Sequence, residues 1–208
     1  MPIVDARGDP PPAEALKEAA EALRAGLAVV IPTDTVYGLA ADISVLGATD
    51  RIFDAKHRPH DLDLPVLVAV PDQALSLATA VPQSAIRLMS RFWPGALTLV
   101  IPRAPDLAAD LGDDDATVGV RCPNHAVPRA LCAMVGPLAT TSANFHGEPT
   151  PETAHRVAEV FGESVAVVLD GGPCAGASST VVDCTGVEPK LLREGHIPWN
   201  DVLAALAD

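Results

Sequence analysis

Four segments of the sequence carry more hydroxyl, amide and cationic side chains than a turn requires. They are residues 32–39 (PTDTVYGL), 55–59 (AKHRP), 140–147 (TTSANFHG) and 171–180 (GGPCAGASST). Hydroxyl, amide and guanidinium groups donate hydrogen bonds to phosphate and carboxylate oxygens, and successive backbone N–H groups in a glycine-rich segment form a nest for an anion. The four segments therefore indicate a site for anionic ligands.

Each segment also has a simpler interpretation when it is taken alone. The Thr and Asp side chains of the first suit the capping of the residues that follow. Lys56 in the second suits the end of a helix, where the helix dipole favours a cation. The glycine-rich fourth segment is typical of a plain connection between strands. In the third a site is favoured, because Asn144 and Gly147 come too early to cap the helix expected near residue 151.

Familiar nucleotide and hydrolase motifs are absent from the sequence. There is no G-x-x-x-x-G-K-[ST], which excludes a P-loop, and no G-x-G-x-x-G after the first strand. No G-x-S-x-G supports a serine hydrolase. The four cysteines form no C-x-x-C pair, and His57 and His60 lie among cations, so a zinc site is not favoured. We expect four buried free thiols, with a structural disulfide as the alternative.

The charge balance limits the classes of partner. The 208 residues include 14 Lys+Arg and 27 Asp+Glu, a formal net charge of −13, which excludes a general basic surface for nucleic acid. Phosphate chemistry then needs a local cluster of cations, and we expect the acidic excess to lie mainly elsewhere, on stretches such as residues 14–21 and 106–115. No apolar run approaches the ~18–20 residues of a membrane span, and no signal peptide is visible. We therefore expect a cytoplasmic protein with no membrane contact.

Strand and helix patterns alternate between the four segments. Continuous apolar runs predict strands, at residues 27–31, 65–70, 97–101, 117–120, 138–141, 165–169, 180–183 and 190–193. Helical patterns fall at residues 10–26, 44–56, 72–80, 83–92, 127–135, 151–161 and 199–206. This order predicts an α/β protein, a single domain over residues 1–208 with one mixed sheet flanked by helices. In open α/β sheets ligands bind at the carboxyl ends of the strands, where we expect the four segments to meet.

Eight segments in order resemble the YrdC/YwlC family, the L-threonylcarbamoyladenylate synthases, over about residues 16–197. They are residues 32–39 (PTDTVYGL), 56–59 (KHRP), 92–98 (FWPGALT), 117–123 (TVGVRCP), 141–144 (TSAN), 171–173 (GGP), 179–183 (STVVD) and 192–195 (LREG). The chain is similar to the short, single-domain form of the family. The resemblance implies a fold of the α+β type, one twisted mixed sheet flanked by helices, with a concave, positively charged groove.

The resemblance also implies a reaction. ATP, bicarbonate and L-threonine give threonylcarbamoyl-AMP and pyrophosphate, for the threonylcarbamoyladenosine modification of tRNA. Mg²⁺ accompanies the ATP, and no metal ligand from the protein is identified. The implied partner is a downstream threonylcarbamoyl transferase complex. The alternative is a non-catalytic RNA-binding or ribosome-associated module of the same fold, with a weak contact to tRNA or double-stranded RNA.

The site residues of the family are carried over position by position. The catalytic positions are Lys56 and Arg58, which we expect to face bicarbonate and phosphates. The resemblance implies that L-threonine contacts Thr35, Arg121, Thr140 and Ser179, and that the nucleotide contacts Arg58, Thr117, Ser142, Asn144, Thr150 and Arg193. The sequence departs from the family in a longer stretch at residues 60–64 and at Phe145 and His146. No side chain stands out as the proton acceptor for the threonine amine, which leaves bicarbonate, a phosphate oxygen or water.

Overall fold

A computed structural model describes residues 1–57, 63–145, 147–174 and 176–207. The strands in this part of the chain are β1 (Ile3–Asp5), β2 (Val29–Ile31), β3 (Gly38–Asp42), β4 (Val66–Leu67), β5 (Leu97–Pro102), β6 (Thr117–Arg121), β7 (Leu138–Ser142), β8 (Val168–Asp170), β9 (Thr180–Asp183) and β10 (Lys190–Arg193). The helices are α1 (Ala13–Arg24), α2 (Asp50–Lys56), α3 (Pro71–Leu75), α4 (Gln83–Phe92), α5 (Ala126–Val135), α6 (Ala154–Phe161) and α7 (Trp199–Ala207), with a 3-10 turn at Gly162–Ser164.

The strands form one mixed sheet in the order β1-β8-β2-β3-β7-β4-β6-β5-β9-β10. Four neighbouring pairs are parallel: β1 with β8, β2 with β8, β4 with β6, and β5 with β9. The other five pairs are antiparallel. The predicted fold class, a mixed sheet with helices, is therefore confirmed. Among the described residues, no helix has both the length and the apolar composition needed to cross a membrane.

The sequence did not predict two of the strands, β1 and β3. β1 has only three residues and is held by parallel pairing to β8, a partner more than 160 residues away. β3 begins inside the segment that was interpreted as a loop, and its sequence GLAAD contains residues that are depleted in strands. It forms because it is sandwiched between β2 and β7, where each of its residues is buried.

Two predicted elements are shorter than expected. The helix predicted over residues 44–56 begins only at Asp50, because residues 43–49 form turns that include Gly47 with a positive φ of 78°. The strand predicted over residues 65–70 has ladder pairing only at Val66 and Leu67. Residues beyond this short β4 run into α3, where Pro71 starts a helix well because its φ is preset.

The core lies on both faces of the sheet, which explains the continuous apolar runs. Along β2, Val29 and Ile31 pack with α1 and α5, whereas Val30 points into the cluster on the opposite face. That second cluster contains residues of α2, α4, α6 and α7. Helices α1 and α5 pack against each other over β2 and β3 and leave the far end of their face uncovered by helix. This uncovered end is where the site lies.

Candidate functional site

A cavity of about 540 Å³ lies on this uncovered face of the sheet. Its floor is made by alternate residues of β5, β6 and β9, including Thr98, Gly119 and Val181. Their chain neighbours Leu99, Val120 and Val182 point into the core on the other side. The two-residue period of a strand therefore divides one run of sequence between core and cavity. The expectation that ligands bind at the carboxyl ends of strands stays a prediction: residues at or after the ends of β2, β6 and β7 line the cavity, and its floor is the sheet face that α1 and α5 leave uncovered.

Most of the predicted site residues meet in this cavity. Those that line it are Thr35, Thr117, Arg121, Thr140, Ser142, Ser179 and Arg193. Lys56 and Asn144 lie directly behind Ser142, as the contacts below show. Thr150 is half-buried and is not among the lining residues. Arg58 and His146, as well as the longer stretch at residues 60–62, lie outside the described residues.

Arg121, at the end of β6, is held by three acceptors although it is almost fully buried. Its Nη2 donates to Asp34 Oδ1 at 2.5 Å, its Nη1 to Thr35 Oγ1 at 2.9 Å, and its Nε to the Gly95 carbonyl at 2.9 Å. Burial lowers the pKa of the Arg121 guanidinium, and the Asp34 carboxylate opposes that shift. The three contacts fix the plane of the guanidinium, as recognition of a carboxylate by its fork requires.

Thr35 is oriented from two sides. Its Oγ1 lies 3.0 Å from Thr33 Oγ1, and its backbone N–H donates to the same Thr33 hydroxyl at 3.1 Å. Its carbonyl accepts the backbone N–H of Gly176 at 2.9 Å. A Cβ at Gly176 would lie only 2.7 Å from that carbonyl oxygen, so the close approach of the two loops requires a glycine. The glycine-rich segment thus has a structural role against the first loop.

A second guanidinium, that of Arg193, lies beside Ser179. Its Nε and Nη2 donate to the Ser179 carbonyl at 3.2 and 3.0 Å, and Nη2 also contacts Ser179 Oγ at 3.2 Å. Ser179 Oγ is in turn 2.9 Å from Thr98 Oγ1 on the floor. Burial of part of the side chain lowers the pKa of Arg193. The arrangement joins one cation and two hydroxyls at one end of the cavity.

Lys56, at the last turn of α2, is only 4% exposed. Its Nζ donates to the Ser142 carbonyl at 2.5 Å, and Thr141 Oγ1 and Asn144 Oδ1 each lie 3.4 Å away. The Ser142 hydroxyl donates to the same Asn144 oxygen at 2.6 Å. The ammonium group therefore organises the polar loop after β7 by contacts to neutral oxygens.

Among the described residues, three carboxylates on the cavity wall were missed by sequence reasoning: Asp63, Asp114 and Asp183. Asp114 accepts hydrogen bonds from the Thr117 hydroxyl and the Ala116 N–H, which lower its pKa in that order. The sequence placed the acidic stretch 106–115 away from the groove, and for Asp114 this is wrong, because its loop closes over the N-terminal end of β6. A predominantly positive groove stays a prediction, since the described lining includes two arginines and three aspartates.

A buried tyrosine joins the first and fourth segments behind the cavity. Tyr37, the only tyrosine in the sequence, is fully buried and its hydroxyl donates to the Gly172 carbonyl at 2.7 Å. The Asp170 carboxylate accepts the Gly172 N–H at 2.9 Å and pairs with Arg7 at 2.5 Å. Burial raises the pKa of Tyr37 far above its ordinary value, so the phenol stays protonated. The pKa of Asp170 is lowered overall, because the hydrogen bonds from Gly172 and Arg7 outweigh the opposing effect of burial.

The fold and the cavity define a class of protein: an α/β protein with a cavity of ligand size, lined by guanidinium, hydroxyl and carboxylate groups. The chain belongs to the Sua5/YciO/YrdC family, whose model, described as "Telomere recombination", matches residues 21–195.

Curated relatives carry a more specific name. Threonylcarbamoyl-AMP synthase of Bacillus subtilis is 40% identical over 194 residues, which cover 92% of this chain and 56% of that protein. A protein of Mycobacterium tuberculosis is 42% identical over 186 residues, covering 89% of this chain and 86% of the relative. Among solved structures, Sua5 of Pyrococcus abyssi in complex with L-threonine superposes with a TM-score of 0.93 at 38% identity. That match covers 99% of this chain and 61% of the Sua5 chain, so the present chain spans about three fifths of that longer protein.

Proposed function

We propose that the cavity makes threonylcarbamoyl-AMP and pyrophosphate from ATP, bicarbonate and L-threonine. The observation that carries the proposal is the convergence of Arg121, Arg193, Thr35 and Ser179 on one cavity in a member of this family. Relatives that bear the name threonylcarbamoyl-AMP synthase, together with a similar structure that binds L-threonine, support it. The enzyme class is a nucleotidyltransferase, because the AMP part of ATP is transferred to a carbamate oxygen.

Arg121 is proposed to bind the threonine carboxylate. Each of its two Nη atoms has a second N–H beyond the one donated to Thr35 or Asp34, so the guanidinium keeps donors for a ligand. Thr35, Thr140 and Ser179 add hydroxyl groups to the lining of the same cavity. Hydroxyl donors of this kind suit the small polar side chain of threonine.

The chemistry needs positioning more than a protein nucleophile. The threonine amine adds to bicarbonate with loss of water, and an oxygen of the resulting carbamate attacks the α-phosphorus of ATP, so that pyrophosphate leaves. Each reactant is an anion or carries one, and fixed cations and hydroxyls offset their repulsion and hold them together. We assign the phosphates to Arg193, Ser142, Asn144 and Thr117, and the bicarbonate and phosphates to Lys56 and Arg58. Thr150 stays a predicted nucleotide contact.

Magnesium is proposed to enter with ATP. In the described part of the chain no group of three His, Cys, Asp or Glu side chains is placed to hold a metal ion. The donors present fit an ion borne by the nucleotide, because Mg²⁺ at ATP sites is held by phosphates and water with only one or two carboxylates, and Asp63, Asp114 and Asp183 offer such carboxylates. When bound, the ion neutralises charge on the departing pyrophosphate.

The proton of the threonine amine is proposed to pass to bicarbonate, a phosphate oxygen or water. The wall carboxylates already accept hydrogen bonds from protein: Asp114 from Thr117, and Asp183 from the N–H and hydroxyl of Thr185. The hydrogen bonds from Thr117 and Ala116 lower the pKa of Asp114, which makes this carboxylate a weaker base.

The decisive experiment measures pyrophosphate release from ATP by the purified protein. We expect release that requires both L-threonine and bicarbonate, and a product with the mass of threonylcarbamoyl-AMP. Serine or valine in place of threonine serves as the control for side-chain recognition. A rate that is unchanged when threonine or bicarbonate is omitted would refute the synthase assignment.

The same assay separates the alternative, a non-catalytic RNA-binding module. A net charge of −13 opposes general RNA binding, whose affinity comes largely from phosphate contacts.

The product contains a reactive carbamoyl–phosphate anhydride, which a carbamoyl-transfer reaction must consume. We propose a threonylcarbamoyl transferase complex acting on tRNA as the downstream partner.

A further inference from the structure

Thr180, the first residue of β9, is fully buried directly beside Ser179 of the cavity. Its hydroxyl donates to the Ile197 carbonyl at 2.6 Å and accepts the backbone N–H groups of Gly195 and Ile197 at 3.0 and 3.1 Å. A hydroxyl has one donor and two acceptor positions, so all of its capacity is used. One side chain thereby ties the segment after β10 back onto β9.

Close backbone packing reinforces this tie. The His196 N–H donates to the Ser178 carbonyl at 2.9 Å. A Cβ on Gly195 would lie 2.1 Å from the Ser178 carbonyl oxygen and 2.6 Å from the Ser179 carbonyl carbon. Only a glycine lets the segment come this close to β9.

The tied segment begins directly after Arg193. β10 is the last strand in the sheet order, and its register against β9 shifts between Leu191 and Arg193. An exposed arginine on such an edge strand loses much rotamer freedom when it is fixed, yet here its guanidinium is held on Ser179. The hydrogen bonds of Thr180 and the close approach of Gly195 fix the backbone on the C-terminal side of Arg193.

We propose that Thr180 is a positioning residue that holds Arg193 over Ser179. It thereby fixes the position of a proposed phosphate-binding side chain relative to a proposed threonine-binding side chain. The inference rests on the proposed function, in which Arg193 binds the nucleotide phosphates and Ser179 binds threonine. Thr180 does not line the cavity, and it acts through the backbone of residues 193–197.

The test is a matched pair of substitutions. Thr180→Val keeps the shape but removes the hydroxyl, and it leaves the Gly195 and Ile197 N–H groups without their acceptor. Thr180→Ser keeps the hydroxyl and loses a methyl group. Binding of α,β-methylene-ATP, which is not cleaved at the α–β bond, is measured by calorimetry. We expect affinity to fall about tenfold in Thr180→Val, as for loss of a charge-assisted contact, and to stay within about twofold of the wild type in Thr180→Ser.

A double-mutant cycle with Arg193→Ala separates positioning from general weakening. If Thr180 acts through Arg193, Thr180→Val adds little to the loss already caused by Arg193→Ala, because coupled residues are non-additive. Additive losses would overturn the inference, and so would wild-type affinity in Thr180→Val. Thr153→Val, which removes a hydroxyl that caps α6 outside the cavity, is the control for loss of a threonine hydroxyl as such.

A second variant covers the case in which Thr180→Val does not fold. Gly195→Ala displaces the same segment from the other side, and the same loss of affinity and the same non-additivity with Arg193→Ala are expected. Because binding of the analogue needs no turnover, the two proposals fail separately. Absence of threonine-dependent pyrophosphate release in the wild type refutes the synthase, whereas wild-type analogue affinity in the folded variants refutes the role of Thr180 alone.

Discussion

The carboxylate of Asp34 lies 2.5 Å from Nη2 of Arg121, and both side chains are withdrawn from solvent, with exposed fractions of 15% and 8%. Asp34 is thus the counter-ion of the guanidinium that is proposed to bind the threonine carboxylate. A buried cation that loses its partner is costly, whereas an exposed pair contributes little. Asp34 therefore stabilises the buried guanidinium of Arg121.

This relationship predicts how Asp34→Asn behaves. We expect the free energy of unfolding to fall by about 3 kcal/mol, the usual cost of breaking a buried pair. L-threonine should then raise the melting temperature more in the variant than in the wild type, since its carboxylate supplies the missing charge. Thermal unfolding with and without threonine measures both effects. Glu159→Gln, which breaks the exposed pair with Arg156, is the matched control. A smaller threonine shift in Asp34→Asn would contradict the counter-ion role.

Lys56 is expected to be required for catalysis. Lys56→Met keeps most of the aliphatic stem and removes the ammonium group that contacts Ser142 and Asn144. Loss of a preorganised cation and of the loop it orders should cost about 3 kcal/mol of transition-state stabilisation or more, over a hundredfold in rate. Pyrophosphate release measures the rate, and circular dichroism checks the fold. Lys17→Met on the exposed side of α1 should leave the rate unchanged; near-normal turnover in Lys56→Met would count against the assignment.

The hydrogen bonds of Asp170 predict how the free energy of unfolding depends on pH. The folded state lowers the pKa of Asp170, so its contribution to stability is complete above the ordinary aspartate pKa and is lost as the pH falls through the lowered value. The difference in unfolding free energy between wild type and Asp170→Asn should be largest near pH 7 and shrink below about pH 4. Urea unfolding at several pH values measures this difference. A gap that is constant across that range would show that the carboxylate charge is not responsible.

The cysteines should be unreactive in the folded protein. Cys122, Cys132, Cys174 and Cys184 are free and buried, as the sequence predicted. Burial raises the pKa of each thiol, to about 11 for Cys184, so little thiolate exists near neutral pH. We expect slow alkylation by iodoacetamide in the native state and rapid alkylation of all four after unfolding in urea. Mass spectrometry counts the modified sites, and fast modification of any one without unfolding would refute its burial.

Much of the fold was accessible from local patterns. The seven helices and eight of the strands were expected, because apolar runs and helical periodicity report burial directly. β3 was not, since its glycine and alanines have no strand preference of their own. That strand forms because β2 and β7 pair with it on its two sides, and β7 lies about a hundred residues further along the chain.

The candidate site was likewise predictable in some residues and not in others. Arg121, Ser179 and Arg193 were accessible because their segments resemble a family, and the structure brings them to one cavity. The sequence did not predict that Thr98 and Val181 contribute to the floor of the cavity. Their contribution depends on the parallel pairing of β5 with β9, which lie about 80 residues apart in the chain. The prediction placed Asp114 outside the cavity because a run of aspartates is typical of a solvated loop. The pairing of β6 with β5 up to Thr117 brings Asp114 to the cavity wall, and local sequence does not report that pairing.

The cavity is lined by strands that begin near residue 38 and end near residue 183, and Arg193 completes the lining from β10. During synthesis the lining of the cavity is therefore incomplete until Arg193 has left the ribosome. A ligand that binds only the finished floor stabilises the native state by mass action. Substrates are thus expected to retard unfolding of the whole sheet, including β1, which lies nine strands away from β10.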